Sequence, residues 1–173
     1  MSSKMERSSR ALPDRRAAFK KIGKWLLAGG GVLTVGYFAI GREGPIDEWV
    51  AIGKVEELPI GRFETRQVTV TARGSWLNKK VERMVWLCRN ADETITVLSA
   101  ICPHLNYTIN FWQQDLGIFK CPGHKSAFDS TGKVLEGPSP RPMDPLEHQV
   151  KDGIVMVRYQ KFKKNLPTRE VYT

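Results

Sequence analysis

Four side chains with metal affinity fall inside one short stretch, CPHLNYTINFWQQDLGIFKCPGH, residues 102–124. Cys102 and His104 stand two positions apart, Cys121 and His124 three apart, and the residues between the pairs have no helical period. Thiolate and imidazole hold zinc and iron–sulfur clusters, so two metal readings follow. A structural zinc ion would take all four donors in a tetrahedron. A two-iron cluster would take both cysteines on one iron and both histidines on the other. The order of the donors separates them. Zinc fingers usually group Cys with Cys and His with His, whereas here each arm carries one of each, as it must if each loop is to reach both irons. Pro103 and the Pro122-Gly123 pair keep both arms non-helical and tightly turned. Sixteen residues lie between His104 and Cys121, enough for one hairpin that presents two loops side by side.

The elements that must position these donors read as short strands. EWVAIG, ETRQVTVTA, ERMVWLCR, ETITVLSAI, LGIFKC and GIVMVRYQ are rich in β-branched and aromatic residues, and RQVTVTA alternates apolar and polar at period 2. Leu-Pro-Ile-Gly, Arg-Asn-Ala-Asp, Ser-Thr-Gly-Lys and Lys-Asp-Gly separate the runs as turns. No amphipathic helix of more than a few turns and no internal repeat is present after residue 43. The fold class is therefore all-β, an antiparallel sandwich or barrel-like domain over residues 46–160. Residues 43–58 lead into it, with Gly44-Pro45 as a linker or hinge. The last segment, 161–173, reads as a polar, basic tail that docks on a partner or, the simpler reading, ends free in solvent. Cys88, in an apolar strand, reads as a buried core thiol. His148 reads as a surface residue before the last strand pair.

The chain of 173 residues carries a net charge of +9, but unevenly. Residues 1–24 hold eight Lys or Arg against Glu6 and Asp14, a net +6. A basic tail, rather than a basic folded face, argues against nucleic acid as a partner and suits the cytoplasmic side of a membrane. Trp25 to Ile40 is an uncharged run of 16 residues, about 24 Å as a helix against a hydrocarbon core of ~30 Å. Lys24 and Arg42 can snorkel at its ends, and Trp25 and Tyr37 suit the interfaces. Residues 22–42 are thus expected to form one transmembrane helix. In the tail at 1–21, DRRAAFKK resembles a twin-arginine export signal, the kind used for proteins folded around a cofactor. No A-x-A cleavage site follows, so the signal is expected to remain as an anchor.

The two donor arms resemble a known family. Cys102-Pro-His104-Leu105 and Cys121-Pro-Gly123-His124-Lys-Ser126 are similar to the two cluster-binding boxes of Rieske proteins. Phe128-Asp129 continues the likeness, GPSPRP at 137–142 resembles the proline loop that covers the cluster, and ITVLSAICPHL resembles the strand entering the first box. The basic tail, single anchor and Gly-Pro linker resemble the membrane-bound Rieske subunits of cytochrome bc-type quinol oxidoreductases. The resemblance implies one [2Fe-2S] cluster in a small subdomain at about 101–143, with Cys102, His104, Cys121 and His124 as ligands. It implies Ser126 as a hydrogen-bond donor to a bridging sulfide and Leu105 as part of the docking tip. It also implies a disulfide between the boxes, but its two positions are Tyr107 and Gly123 here, and Cys88 is misplaced to replace one. Tyr107 is expected to pack where the disulfide lies. Phe128 stands where quinol-oxidising members often have a tyrosine. Hydrogen bonds to sulfur stabilise the reduced cluster. The expected potential is therefore below that of ubiquinol-oxidising relatives and above that of soluble low-potential ferredoxins, which suits menaquinol.

The resemblance implies that His104 or His124 accepts the quinol hydrogen bond, because ferric iron makes the outer imidazole proton more acidic. Implied partners are a cytochrome b-type subunit, which holds the quinol site, a c-type cytochrome and the membrane lipid. The implied location is the bacterial cytoplasmic membrane, single-pass, with the Rieske domain outside. A second reading is an anchored electron-transfer subunit of another periplasmic oxidoreductase, similar to that of arsenite oxidase, with no quinol contact. A Rieske oxygenase is excluded by histidine count: its mononuclear iron needs two more, and the chain has three in all.

Overall fold

A computed structural model describes residues 43–74 and 77–173. The basic tail and the apolar run, with the export signal and anchor expected from them, lie outside the described residues. Among the described residues no helix is long and apolar enough to cross a membrane. The described chain is all β. Its strands are β1 (Asp47–Lys54), β2 (Glu64–Ala72), β3 (Lys79–Arg89), β4 (Ile95–Ser99), β5 (Phe111–Gln113), β6 (Ile118–Lys120), β7 (Ala127–Asp129), β8 (Val134–Glu136), β9 (Glu147–Lys151) and β10 (Ile154–Gln160). They form three sheets, β1-β10-β9, β2-β3-β4 and β5-β6-β7-β8, with antiparallel pairing between all neighbouring strands.

Alternation in the sequence builds the first core. Val68, Val70 and Ala72 of β2 and Val155, Val157 and Tyr159 of β10 all point inward and are buried. With Val81, Val85, Leu87 and Val97 they form one apolar core shared by the first two sheets. Lys-Asp-Gly closes the β9–β10 hairpin, with Asp152 and Gly153 both at positive φ between the paired Lys151 and Ile154, the backbone a two-residue hairpin turn needs. His148 lies within β9, half-buried, not ahead of the strand pair, and its Nδ1 is 3.3 Å from the Leu146 carbonyl. A second core, built on Phe63, Trp86, Cys88, Leu98, Phe119, Phe128 and Met143, sits under the β5–β8 sheet and includes Cys102 and Cys121. Cys88 is a buried thiol there, as its apolar strand predicts.

Two segments depart from expectation. Residues 43–46 are docked rather than free. Ile46 is fully buried, the Arg73 N–H donates to the Pro45 carbonyl at 3.0 Å, and the Lys161 N–H donates to that of Ile46 at 3.1 Å. Glu43 pairs with Arg83, and the Lys161 ammonium bonds to the Glu43 carbonyl at 2.6 Å. Gly44-Pro45 thus lies against the sheet. The C-terminal segment, though most of its side chains are exposed, does not hang free. Phe162 is buried and bridges Val171, folding the chain end back on the domain. Its polar composition hid this, because its attachments are mostly backbone hydrogen bonds.

Ile46→Ala checks the first departure. Emptying a fully buried isoleucine site is expected to cost about 3 kcal/mol in denaturant unfolding of the chain's β domain, whereas a linker residue would cost nothing measurable.

Candidate metal centre

The two donor arms fold as the same six-residue turn. In residues 102–107 the Cys102 N–H donates to the Tyr107 carbonyl at 2.8 Å, and in residues 121–126 the Cys121 N–H donates to the Ser126 carbonyl at 2.9 Å. The fifth residue of each, Asn106 and Lys125, takes a left-handed conformation at φ 62° and 61°. Asparagine tolerates that region; lysine rarely does. The strand pairs at the base fix the turns: Ile101 bridges Thr108, and Lys120 pairs with Ala127. Below them the Trp86 indole N–H holds the Ile109 carbonyl at 2.7 Å, while Phe119 and Phe128 face each other across β6 and β7 and are fully buried.

This support divides the donors by solvent. Cys102 and Cys121 are buried at 1% and 5% exposure, whereas His104 is half-buried and His124 exposed. The imidazole rings stand 4.9 Å apart, nearly perpendicular at 81°. Burial pushes the Cys102 thiol up to about 11, against the pull of the His104 N–H, and the neighbouring Cys121 pushes it the same way. A thiolate there requires a compensating metal charge, so binding metal would release its proton. Among the described residues no three His, Cys, Asp or Glu side chains gather as a single-ion site requires. A cluster of two irons asks each metal for only two of these donors.

The Rieske [2Fe-2S] domain model matches residues 48–159. The chain belongs to the Rieske [2Fe-2S] domain family. Its cofactor is accordingly one Rieske cluster. The menaquinol:cytochrome c reductase iron-sulfur subunit of Bacillus subtilis (strain 168) is 36% identical over 85 residues, 47% of this chain and 50% of that one. The subunit of the same name from Geobacillus thermodenitrificans is 29% identical over 128 residues, 70% and 73% of the two chains. The cytochrome b6-f complex iron-sulfur subunit of Chlorobaculum tepidum is 31% identical over 68 residues, 39% and 37%. The match thus spans half the length of the Bacillus relative.

The residues present fit the cluster of a Rieske domain. Ser126 is fully buried and its Oγ has no hydrogen-bond partner within the protein, a group that an acceptor in the site would satisfy. The proline loop presses on it: a Cβ on Gly137 would lie 2.5 Å from the Ser126 Cα. Tyr107 packs where the sequence suggested. Its ring covers Gly123 so closely that a Cβ there would meet it at 2.8 Å, and it stands edge-on to His124 at 5.6 Å and 86°. All three cysteines are free. Leu105, 39% exposed, sits at the tip beside His104. Sequence reasoning missed Arg141 and Asp144, a buried pair at the end of the proline loop whose guanidinium bonds both carboxylate oxygens at 2.9 and 2.8 Å. Their only trace was opposite charges three apart inside a proline-rich run.

Ser126→Ala tests the hydroxyl. The variant is expected to keep its cluster and fold while its midpoint potential falls by on the order of 60 mV, one net hydrogen bond of about 1.4 kcal/mol in a one-electron couple. Potentiometric titration of the cluster signal reads it.

Proposed function

We propose that this Rieske protein is the electron-transfer subunit of a quinol:cytochrome c-type oxidoreductase, with Cys102 and Cys121 on one iron and His104 and His124 on the other. One observation carries the reading: both imidazoles meet at an exposed tip while both thiols are buried. That split suits a site that contacts its donor through nitrogen. The names of the Bacillus and Geobacillus relatives support menaquinol as the donor, as does Phe128, which brings no hydroxyl to the site.

The cluster, when bound, supplies a one-electron acceptor beside the two imidazoles. The protein does the rest. The metal-free ring nitrogen of His104 or His124 accepts the quinol hydrogen bond and then its proton. Leu105 and the half-exposed Tyr107 ring offer apolar surface around that nitrogen, so the quinol head is held away from bulk water. The second core keeps water from the sulfur side. A cytochrome b-type subunit supplies the quinol site, and a c-type cytochrome takes the electron. Residues 22–42 anchor the chain in the bacterial cytoplasmic membrane, with the tail at 1–21 on the cytoplasmic side and the Rieske domain outside.

Leu105→Glu in the assembled complex tests this. A charge set into an apolar contact is costly, and quinol-dependent cytochrome c reduction is expected to fall about tenfold or more, ~1.4 kcal/mol in barrier, with the cluster signal unchanged. Unchanged turnover that also ignores quinol-site inhibitors would instead support the plain electron-transfer module of another oxidoreductase.

A further inference from the structure

The two donor turns share one backbone path but differ at its strained point. The fifth residue is Asn106 in the first turn, φ 62°, and Lys125 in the second, φ 61°. Asparagine tolerates the left-handed region and glycine enters it freely, whereas a lysine there is strained. The surroundings hold Lys125 in it. The Cys121 N–H closes the turn on the Ser126 carbonyl at 2.9 Å, and Gly137 lies so near that a Cβ on it would meet the Lys125 carbonyl oxygen at 3.0 Å. Backbone outliers of this kind cluster at functional sites.

What the side chain brings is charge. Lys125 is exposed, follows His124 directly and, among the described residues, belongs to no ion pair. Residues 102–107, 121–126 and 137–140 hold no carboxylate. At the base of the second turn Lys120 and Glu136 both pair with Ala127, one charge of each sign. Arg141 is held by Asp144, and Lys163 by Glu170. Lys164 is exposed and outside any described ion pair, and it precedes Asn165, whose N–H donates to the Pro103 carbonyl at 2.8 Å. The two imidazoles, Leu105 and Tyr107 are thus flanked by two unpaired cations. Two are too few for an anionic lipid surface, which clusters of about 4–8 Lys or Arg recognise. Apolar side chains with charges at their rim suit a protein partner, and rim charges act chiefly on encounter rate and choice of partner.

We propose that Lys125 makes the tip a cationic docking surface for an acidic face of the c-type cytochrome that takes the electron, with Lys164 adding to the same field. The inference rests on the reading of this chain as an electron-transfer subunit that serves such a cytochrome. The strain at Lys125 is then the cost of setting a positive charge beside the exposed imidazoles, at a position that glycine would fill without strain.

The full chain in neutral detergent micelles tests it, through its association with two immobilised soluble c-type cytochromes, one acidic and one basic. All proteins are kept oxidised, so that no electron moves. Lys125→Gly suits the turn and removes the charge, Lys125→Arg keeps the charge, and the basic tail is common to all. At low ionic strength Lys125→Gly is expected to slow association with the acidic cytochrome about threefold or more, and Lys125→Arg to match the parent. The difference is expected to vanish at high salt, where exposed charges are screened, and to change sign with the basic cytochrome. Lys151→Gln is the control: Lys151 is exposed and pairs with Ile154, at the opposite end of β10 from Gln160, which lines one cavity with Pro103. It is expected to match the parent. Parent-like association of Lys125→Gly at low salt overturns the proposal. So does an equal loss with both cytochromes, or a loss that only anionic lipid in the micelle brings out, which would assign the charge to the membrane. Reducing the cluster separates this from the reading beneath it. Electron transfer to the acidic cytochrome with association indifferent to Lys125 overturns the proposal alone. Association through Lys125 with no electron transfer overturns the electron-transfer reading while the cationic docking surface stands.

Discussion

Two sulfurs are dry and two imidazoles are wet, and the rest of the Rieske domain serves that split. A buried thiol resists ionisation, as the raised value at Cys102 shows, so the sulfur side has to be paired with metal charge and with N–H donors. The second core supplies the burial, from Trp86 on β3 through Phe119 and Phe128 on the small sheet. The paired six-residue turns supply the rest. Each returns the chain on itself within five residues, so the cysteine stays at the floor and the histidine rises to the rim. The two larger sheets act as a platform whose own core is separate.

The loops achieve this without a covalent link between them. A disulfide stabilises by typically 2–4 kcal/mol, chiefly through the unfolded chain, and an aromatic contact such as that of Tyr107 with His124 contributes about 0.5–1.5 kcal/mol. The ring over Gly123 therefore does not match a bridge in energy. It does not have to, because each turn is closed by its own backbone bond and seated on the same apolar floor. What the ring adds is orientation, since it meets both the backbone of the second loop and the edge of His124. Tyr107 also joins the first loop through its carbonyl on the Cys102 N–H, so one residue touches both arms.

Much of this was legible in the sequence, for a physical reason. Alternation at period 2 exposed β2, because it buries one face against a large sheet, and ETRQVTVTA at 64–72 matches β2 end to end. The donor pairs exposed the site, because ligand chemistry restricts residue type more than folding does. The three-residue strands β5, β7 and β8 were not legible, since so short a run has no period. Residues 43–46 and 161–173 misled for a common reason. Their attachment is largely through backbone groups, which every sequence carries alike, and through single anchors such as Ile46 and Phe162. Arg141 was invisible because a buried guanidinium and a solvated one share the same letter.

Low-temperature EPR of the dithionite-reduced full chain in membranes, with pulsed detection of nitrogen couplings, tests the central claim most directly. The account predicts a rhombic Rieske-type signal coupled to two imidazole nitrogens, with one of those couplings lost, or the signal itself, in His104→Cys and in His124→Cys. Four-cysteine-type EPR without strong nitrogen coupling, or zinc in place of iron by metal analysis, would contradict it.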